Sequence, residues 1–289
     1  MEFEDIAYPG TRQGPAAPSA AIANRRLEMN RRGDEPLPNV SVVPHPAGPG
    51  KAEWVRPLQC ERPNAILFLH GSGFSKGSPA SHRPLVARIA AETGVPVFVP
   101  DYRLTPENRF PAALEDALDA YRQLLDLYDP RRVAIIGDSA GGGLVLTLLL
   151  AAKDRNLPMP AAAATLSAWT DLAVTGDARP DVDDPVVTQA MLQAAADLYL
   201  DGADPKHPYA SPLFGDLAGL PPLLMQVGGR EIMIEDTRRF AEKAESAGVP
   251  VTWTTYSGMA HVFQLNSPEV PETEAALAEL TKFLGDAFA

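Results

Sequence analysis

One stretch narrows what this chain can fold into more than any other. After Arg132, the apolar and β-branched run Val133-Ala134-Ile135-Ile136 breaks at Gly137-Asp138-Ser139-Ala140-Gly141-Gly142-Gly143, and the almost wholly apolar Leu144 to Ala152 follows. The order is buried strand, tight turn, buried helix. In that setting G-x-S-x-G describes a turn that lifts a serine hydroxyl clear of a sheet, its glycines removing Cβ atoms that would strike neighbouring backbone. Ser139 is the candidate nucleophile. Glycine-containing strand-turn-helix units also cradle nucleotide phosphates, but G-D-S-A-G-G fits neither G-x-x-x-x-G-K-S/T nor G-x-G-x-x-G, and no Lys follows.

The rest of the chain alternates. Ala65 to Leu69 reads as a buried strand ending in His70-Gly71-Ser72-Gly73-Phe74, and a helix follows from about Ala80 to Glu92, closed by Gly94-Val95-Pro96. Val95 to Pro100 is the next strand. From Pro111 onward Leu114, Ala117, Leu118, Tyr121, Leu124, Leu125 and Tyr128 share one helical face, so the tyrosines are read as packing. Ala161 to Ser167, Leu223 to Val227 and Val251 to Tyr256 are further strands. Helices are predicted over about Ile232 to Ala247, stopped by Gly248-Val249-Pro250, and Thr273 to Phe288. Such alternation predicts an α/β fold whose mostly parallel sheet is covered on both faces, with ligands beyond the carboxyl ends of its strands.

Two segments break the pattern. Residues 1–50 hold eight of the 29 prolines and only a weak helical signal from Pro18 to Arg32, a poor start for a sheet. They read as an appended arm. From Asp171 to Leu213 Asp, Pro and Gly accumulate around one helix, about Thr188 to Leu200, which suggests an insertion above the sheet. The expected organisation is an arm (1–50), a first core part (51–171), an insertion (172–212) and a second core part (213–289).

Composition excludes several classes. With 25 basic and 37 acidic side chains the net charge is −12, and no basic tract offsets it. Such a surface repels phosphate backbones and anionic lipid, so neither nucleic acid nor stable membrane association is expected. Cys60 is the only cysteine, and five histidines leave no Cys/His cluster of metal-site spacing, so no metal site is expected. Met1 to Pro9 lack a basic-then-apolar leader pattern, and Leu144 to Ala152 is too short to cross a bilayer; a cytoplasmic location is the expectation.

A serine hydroxyl needs a base to take its proton and an acid to orient that base. On this type of fold the chain order is Ser, then Asp or Glu, then His. His45, His70 and His82 precede Ser139 and His207 lies in the insertion, which leaves His261 as the base. Glu231, in the turn after Leu223 to Val227, is favoured as the acid; Glu235 and Asp236 are alternatives that also suit the first turn of a helix. Backbone N–H groups supply oxyanion donors: Ala140, the residue after the nucleophile, gives one, and the turn at residues 71–73 gives the rest.

These residues carry a resemblance. The chain resembles the hormone-sensitive-lipase-like branch of the α/β-hydrolases, the bacterial family IV carboxylesterases. Residues that carry it are His70-Gly71-Ser72-Gly73, Asp101-Tyr102-Arg103-Leu104-Thr105-Pro106-Glu107, Phe110-Pro111-Ala112, Gly137 to Gly142 and Gly258-Met259-Ala260-His261-Val262-Phe263. The likeness runs from about Trp54 to the C-terminus. It implies hydrolysis of small or short-acyl esters without a cofactor, beneath a cap made by the arm and the insertion. Carried over by position, it puts the nucleophile on Ser139, the acid on Glu231, the base on His261 and the oxyanion donors on Ser72, Gly73 and Ala140. Gly229-Arg230-Glu231-Ile232 is similar to members that use Glu where many have Asp. One position departs: Ser72 stands where the family usually has the middle glycine of three, and its Cβ and hydroxyl are expected to reduce room for bulky acyl or alcohol groups. A lactone substrate, a non-catalytic small-molecule-binding protein on the same fold, and a homodimer remain as alternatives to be weighed.

Overall fold

The apolar runs pair into one sheet. In chain order its strands are β1 (Val40–His45), β2 (Ala52–Pro57), β3 (Ala65–Leu69), β4 (Val97–Pro100), β5 (Val133–Asp138), β6 (Ala162–Leu166), β7 (Leu223–Gly228) and β8 (Val251–Tyr256). Across the sheet the order is β1-β2-β4-β3-β5-β6-β7-β8. β1 with β2 and β2 with β4 are antiparallel; all other neighbours are parallel. The helices are α1 (Ala20–Asn30), α2 (Pro79–Thr93), α3 (Ala112–Leu127), α4 (Ala140–Asp154), α5 (Gln189–Leu200), α6 (Ile234–Ser246), α7 (Phe263–Asn266) and α8 (Pro271–Ala287). This computed structural model describes residues 3, 6–10, 13–46, 52–60, 63–176 and 183–289. The expected boundary at residues 50 and 51, part of the stretch 1–9 and residues 177–182 of the expected insertion lie outside the described residues.

Successive strand residues point to opposite faces, and the parallel strands are apolar on both. Ala65, Leu67 and Leu69 of β3 and Val133 and Ile135 of β5 pack beneath α3, α4 and α6. Ile66, Phe68, Ala134 and Ile136 pack against α2 and α8. On α8 the buried Leu277, Leu280 and Leu284 contribute roughly 1.5–3 kcal/mol each by burial, enough to hold the last helix on the sheet. Tyr121 is fully buried on α3 and donates its hydroxyl to the Pro158 carbonyl at 2.7 Å, a packing role with its one polar atom satisfied.

Register decides what meets at the carboxyl edge. Leu69 lies opposite Gly137, and Asp138 opposite Leu166, so the chain leaving β3 at His70-Gly71 runs beside Asp138-Ser139. The helix expected from Leu144 begins at Ala140 and takes in all three glycines. A Cβ at Gly141 would fall inside contact distance of the Leu69 and His70 carbonyl oxygens, and one at Gly143 would strike the Trp169 carbonyl. Glycine's helix penalty of about 1 kcal/mol per residue is outweighed by an approach that no side chain allows.

Two elements differ from expectation. Val40–His45, inside the arm, is the edge strand β1. Half its positions face solvent and Pro44 interrupts the apolar pattern, features that an edge tolerates and that hide a strand from periodicity. The loop carrying His261 also contains the short α7, too brief to show a helical period. Elsewhere the arm and the expected insertion touch. Gly10 N–H donates to the Gly202 carbonyl at 3.0 Å and Gln13 N–H to Asp201 Oδ1 at 2.7 Å. Among the described residues no helix is long and apolar enough to cross a membrane.

Two glycines give contrasting expectations. Gly94 ends α2 in a left-handed turn (φ 67°) with open space around it, so Gly94→Ala should lower stability by about 1–2 kcal/mol through backbone strain alone. Gly141→Ala has to push two backbone carbonyls aside and should cost about 3 kcal/mol or more. Urea unfolding of both variants checks the order; equal losses would contradict the packing described for the turn.

Candidate active site

Ser139 sits between β5 and α4 with φ 52° and ψ −123°, a conformation that costs a non-glycine residue on the order of 1–3 kcal/mol. Its surroundings over-determine it. Its N–H donates to the Leu166 carbonyl at 2.8 Å, and its carbonyl accepts from the N–H groups of Trp169 and Gly143, each at 3.0 Å. The side chain is thereby held half-buried at the carboxyl edge of the sheet.

His261 arrives from the loop after β8. Its Nε2 lies 2.8 Å from Ser139 Oγ and its Nδ1 2.6 Å from Glu231 Oε2, while Glu231 itself is fully buried. A carboxylate accepts and does not donate, so Nδ1 carries the proton. Nε2 of the neutral ring is then the acceptor facing the serine hydroxyl. Burial of the imidazole opposes its charged form, but the charge of Glu231 and its hydrogen bond outweigh this, and the pKa of His261 is raised above its ordinary value.

The second carboxylate oxygen is occupied as well. Glu231 Oε1 accepts from the Gly228 N–H and from Ser167 Oγ at 2.7 Å, and Ser167 Oγ accepts in turn from the Val262 N–H at 3.1 Å. One hydroxyl thus ties the carboxylate to the backbone beside His261. From sequence Ser167 is no more than the end of a strand. Its only signal is a small polar residue closing the apolar run of β6, which any strand end can show.

Of the three acidic candidates the structure brings only Glu231 to His261. Asp236 turns away and accepts from the N–H groups of Thr170 and Asp171 at 2.9 and 3.1 Å, and Glu235 pairs with Arg238 at 2.7 Å. Burial, with Asp171 close by, pushes the Asp236 carboxyl up to about 7. His45 packs edge-on against Phe98, and His207 accepts from the Tyr209 N–H, so neither approaches the serine. His70 and His82 stack beneath the turn after β3.

Ser72 and Gly73 both adopt positive φ, 84° and 64°, and Ala140 is the first residue of α4. Among the described residues nothing accepts from the N–H groups of Ser72, Gly73 or Ala140. Three free donors beside one hydroxyl suit a developing negative oxygen. α5 lies over this turn: Tyr199 stacks on Phe74 with ring centres 3.8 Å apart, and a Cβ at Gly73 would sit 3.5 Å from Ala195 Cβ. Among the described residues no three His, Cys, Asp or Glu side chains converge as a metal site.

Comparison with known proteins agrees with this architecture. A family model described as alpha/beta hydrolase fold matches residues 66–265. The crystal structure of an esterase from the bacterial hormone-sensitive lipase family superposes with a TM-score of 0.89, at 39% identity over 95% of this chain and 94% of that one. The chain belongs to the hormone-sensitive-lipase branch of the α/β-hydrolases. An acetyl-hydrolase of Streptomyces hygroscopicus is 41% identical to this α/β-hydrolase over 95% of this chain and 91% of its own. An esterase of Acinetobacter venetianus is 36% identical over 85% and 82% respectively.

The raised pKa of His261 sets a pH dependence for Ser139. Protonated imidazole cannot accept the serine proton, so reactivity should be lost as pH falls through a value higher than that of an ordinary imidazole. The rate at which an organophosphonate modifies Ser139 should follow that limb. In Glu231→Gln the limb should move to lower pH and the plateau rate fall roughly 10²-fold or more. An unmoved limb in that variant would contradict the assigned pairing.

Proposed function

We propose that this α/β-hydrolase is a serine carboxylic-ester hydrolase that turns over small, short-acyl esters through an acyl-enzyme. The observation that carries the reading is the continuous relay from Ser139 Oγ through His261 to Glu231, with distances of 2.8 and 2.6 Å. Names of the relatives point the same way, an acetyl-hydrolase and esterases among them.

In this reading Ser139 attacks the ester carbonyl while His261 Nε2 takes its proton. Glu231 stabilises the imidazolium that forms, and the N–H groups of Ser72, Gly73 and Ala140 receive the oxyanion, each such donor being worth about 2.7–4 kcal/mol in the transition state. Collapse of the intermediate passes the proton from His261 to the departing alcohol. A water activated by the same imidazole then attacks the acyl-serine, and the acid leaves. In this reading the arm and the segment around α5 form the cap, supported by Tyr199 stacked on Phe74 and by Ala195 Cβ 3.5 Å from where a Cβ on Gly73 would lie.

Ser139→Ala should abolish turnover of a short-chain aryl ester and the stoichiometric mass gain produced by an organophosphonate. Retention of the parent rate would refute the nucleophile. Ser72 holds a positive φ that disfavours any side chain, so Ser72→Gly relaxes the turn and removes a Cβ and hydroxyl beside the donors. The ratio of kcat/KM for branched to linear acyl esters should rise in that variant; an unchanged ratio would remove Ser72 from the determinants of specificity.

A further inference from the structure

The residue before the nucleophile has a carboxylate with no place in the proton relay. Asp138 is buried at the end of β5, and its Oδ1 accepts the N–H of Gly71, 67 positions away in sequence, at 2.9 Å. Its Oδ2 faces His82 Nε2 at 3.3 Å, with His82 equally buried on the first turn of α2. The other ring nitrogen of His82 lies 2.8 Å from Ser81 Oγ, within the Ser78–Ser81 capping box that starts α2. Gly71 has no room for a side chain, since a Cβ there would strike the Asp138 carboxylate.

The neighbouring peptide groups are fixed too. Tyr102 donates its hydroxyl to the His70 carbonyl at 2.5 Å, and the His70 ring, sandwiched by Tyr102 and His82, has its Nδ1 3.0 Å from the Gly71 carbonyl. The His70 carbonyl and both polar groups of the Gly71 backbone are therefore held, and the Gly71 N–H is held by the residue covalently joined to Ser139. Burial works against the charge on Asp138, but His82 and the Gly71 N–H outweigh it and keep its carboxyl below the usual range. Burial holds His70 neutral, its pKa lowered to about 3.

We propose that Asp138 and His82 are positioning residues that lock the oxyanion-donor turn at Ser72-Gly73 to the nucleophile at Ser139. The proposal rests on the ester-hydrolase reading above. Neither side chain touches the reacting atoms. Asp138 fixes the distance between two backbone segments that must bracket one carbonyl group, and His82 fixes Asp138 to α2. A misplacement of about 1 Å in such a constellation is enough to lose roughly 10²-fold in rate.

A matched pair of substrates separates positioning from simple loss of structure. An ester and its thionoester are attacked by the same serine, but sulfur is the poorer hydrogen-bond acceptor, so only the ester gains fully from well-placed oxyanion donors. Rates are counted per site titrated with an organophosphonate, which removes any misfolded fraction. Asp138→Asn should lower kcat on the ester by about 10- to 100-fold, leave KM within about threefold, and reduce the ester-to-thionoester rate ratio by about tenfold. His82→Phe, which keeps the ring and removes the donor, should shift the ratio the same way, and His82→Gln, which keeps a donor, should restore most of it. A parent-like ratio in Asp138→Asn or His82→Phe overturns the clamp while leaving the esterase reading intact. Failure of the wild-type protein to hydrolyse the ester overturns the reading on which the clamp rests.

Discussion

Everything at the carboxyl edge depends on how closely two stretches of backbone approach. β3 and β5 lie side by side with Leu69 opposite Gly137, and the first turn of α4 presses against the Leu69 and His70 carbonyls where Gly141 has no side chain. That contact leaves the chain after β3 beside the chain after β5, which puts Ser72 and Gly73 near Ala140. A parallel sheet supplies such adjacency at every pair of strand ends. Here glycine turns adjacency into contact.

The relay is built by a different principle, saturation of a buried carboxylate. Removing a charged group from water costs several kcal/mol unless its oxygens are paired. Glu231 meets that cost with three donors, the Gly228 N–H, Ser167 Oγ and His261 Nδ1. Each comes from the end of a different strand or its following loop, so the acid can be satisfied only when β6, β7 and the loop after β8 are all in place. The polar site and the apolar sheet are in that sense one cooperative object.

Much of this was legible in the letters, for reasons that differ from residue to residue. Ser139 and its glycines were visible because a steric demand on backbone leaves an unmistakable residue type. The buried strands from β3 to β7 were visible because burial on both faces produces continuous apolar runs. β1 was hidden by its half-solvated edge and by Pro44. Glu231 was favoured over Glu235 and Asp236 by its place in the turn after β7, although all three carboxylates crowd the start of one helix; the fold adds that Asp236 caps residues 170 and 171 instead. Ser167 and the partnership of Asp138 with Gly71 left no trace, because a single hydroxyl, or a pairing across 67 residues, has no period.

The N-terminal arm is fastened to the rest of the molecule at several points, two of them bearing on α5 and its surroundings. Arg26 grips Glu107 at 2.6 and 2.9 Å and reaches the carbonyls of Ser75 and Thr105, all on the body of the molecule. Gly10 and Gln13 are hydrogen-bonded to the bend that follows α5. The arm therefore acts as a tether: the bend after α5 cannot move outward without carrying Gly10 and Gln13 along or breaking their two hydrogen bonds. A length of chain with no chemistry of its own thereby couples the position of α5 to that of the loops at Ser75 and Thr105.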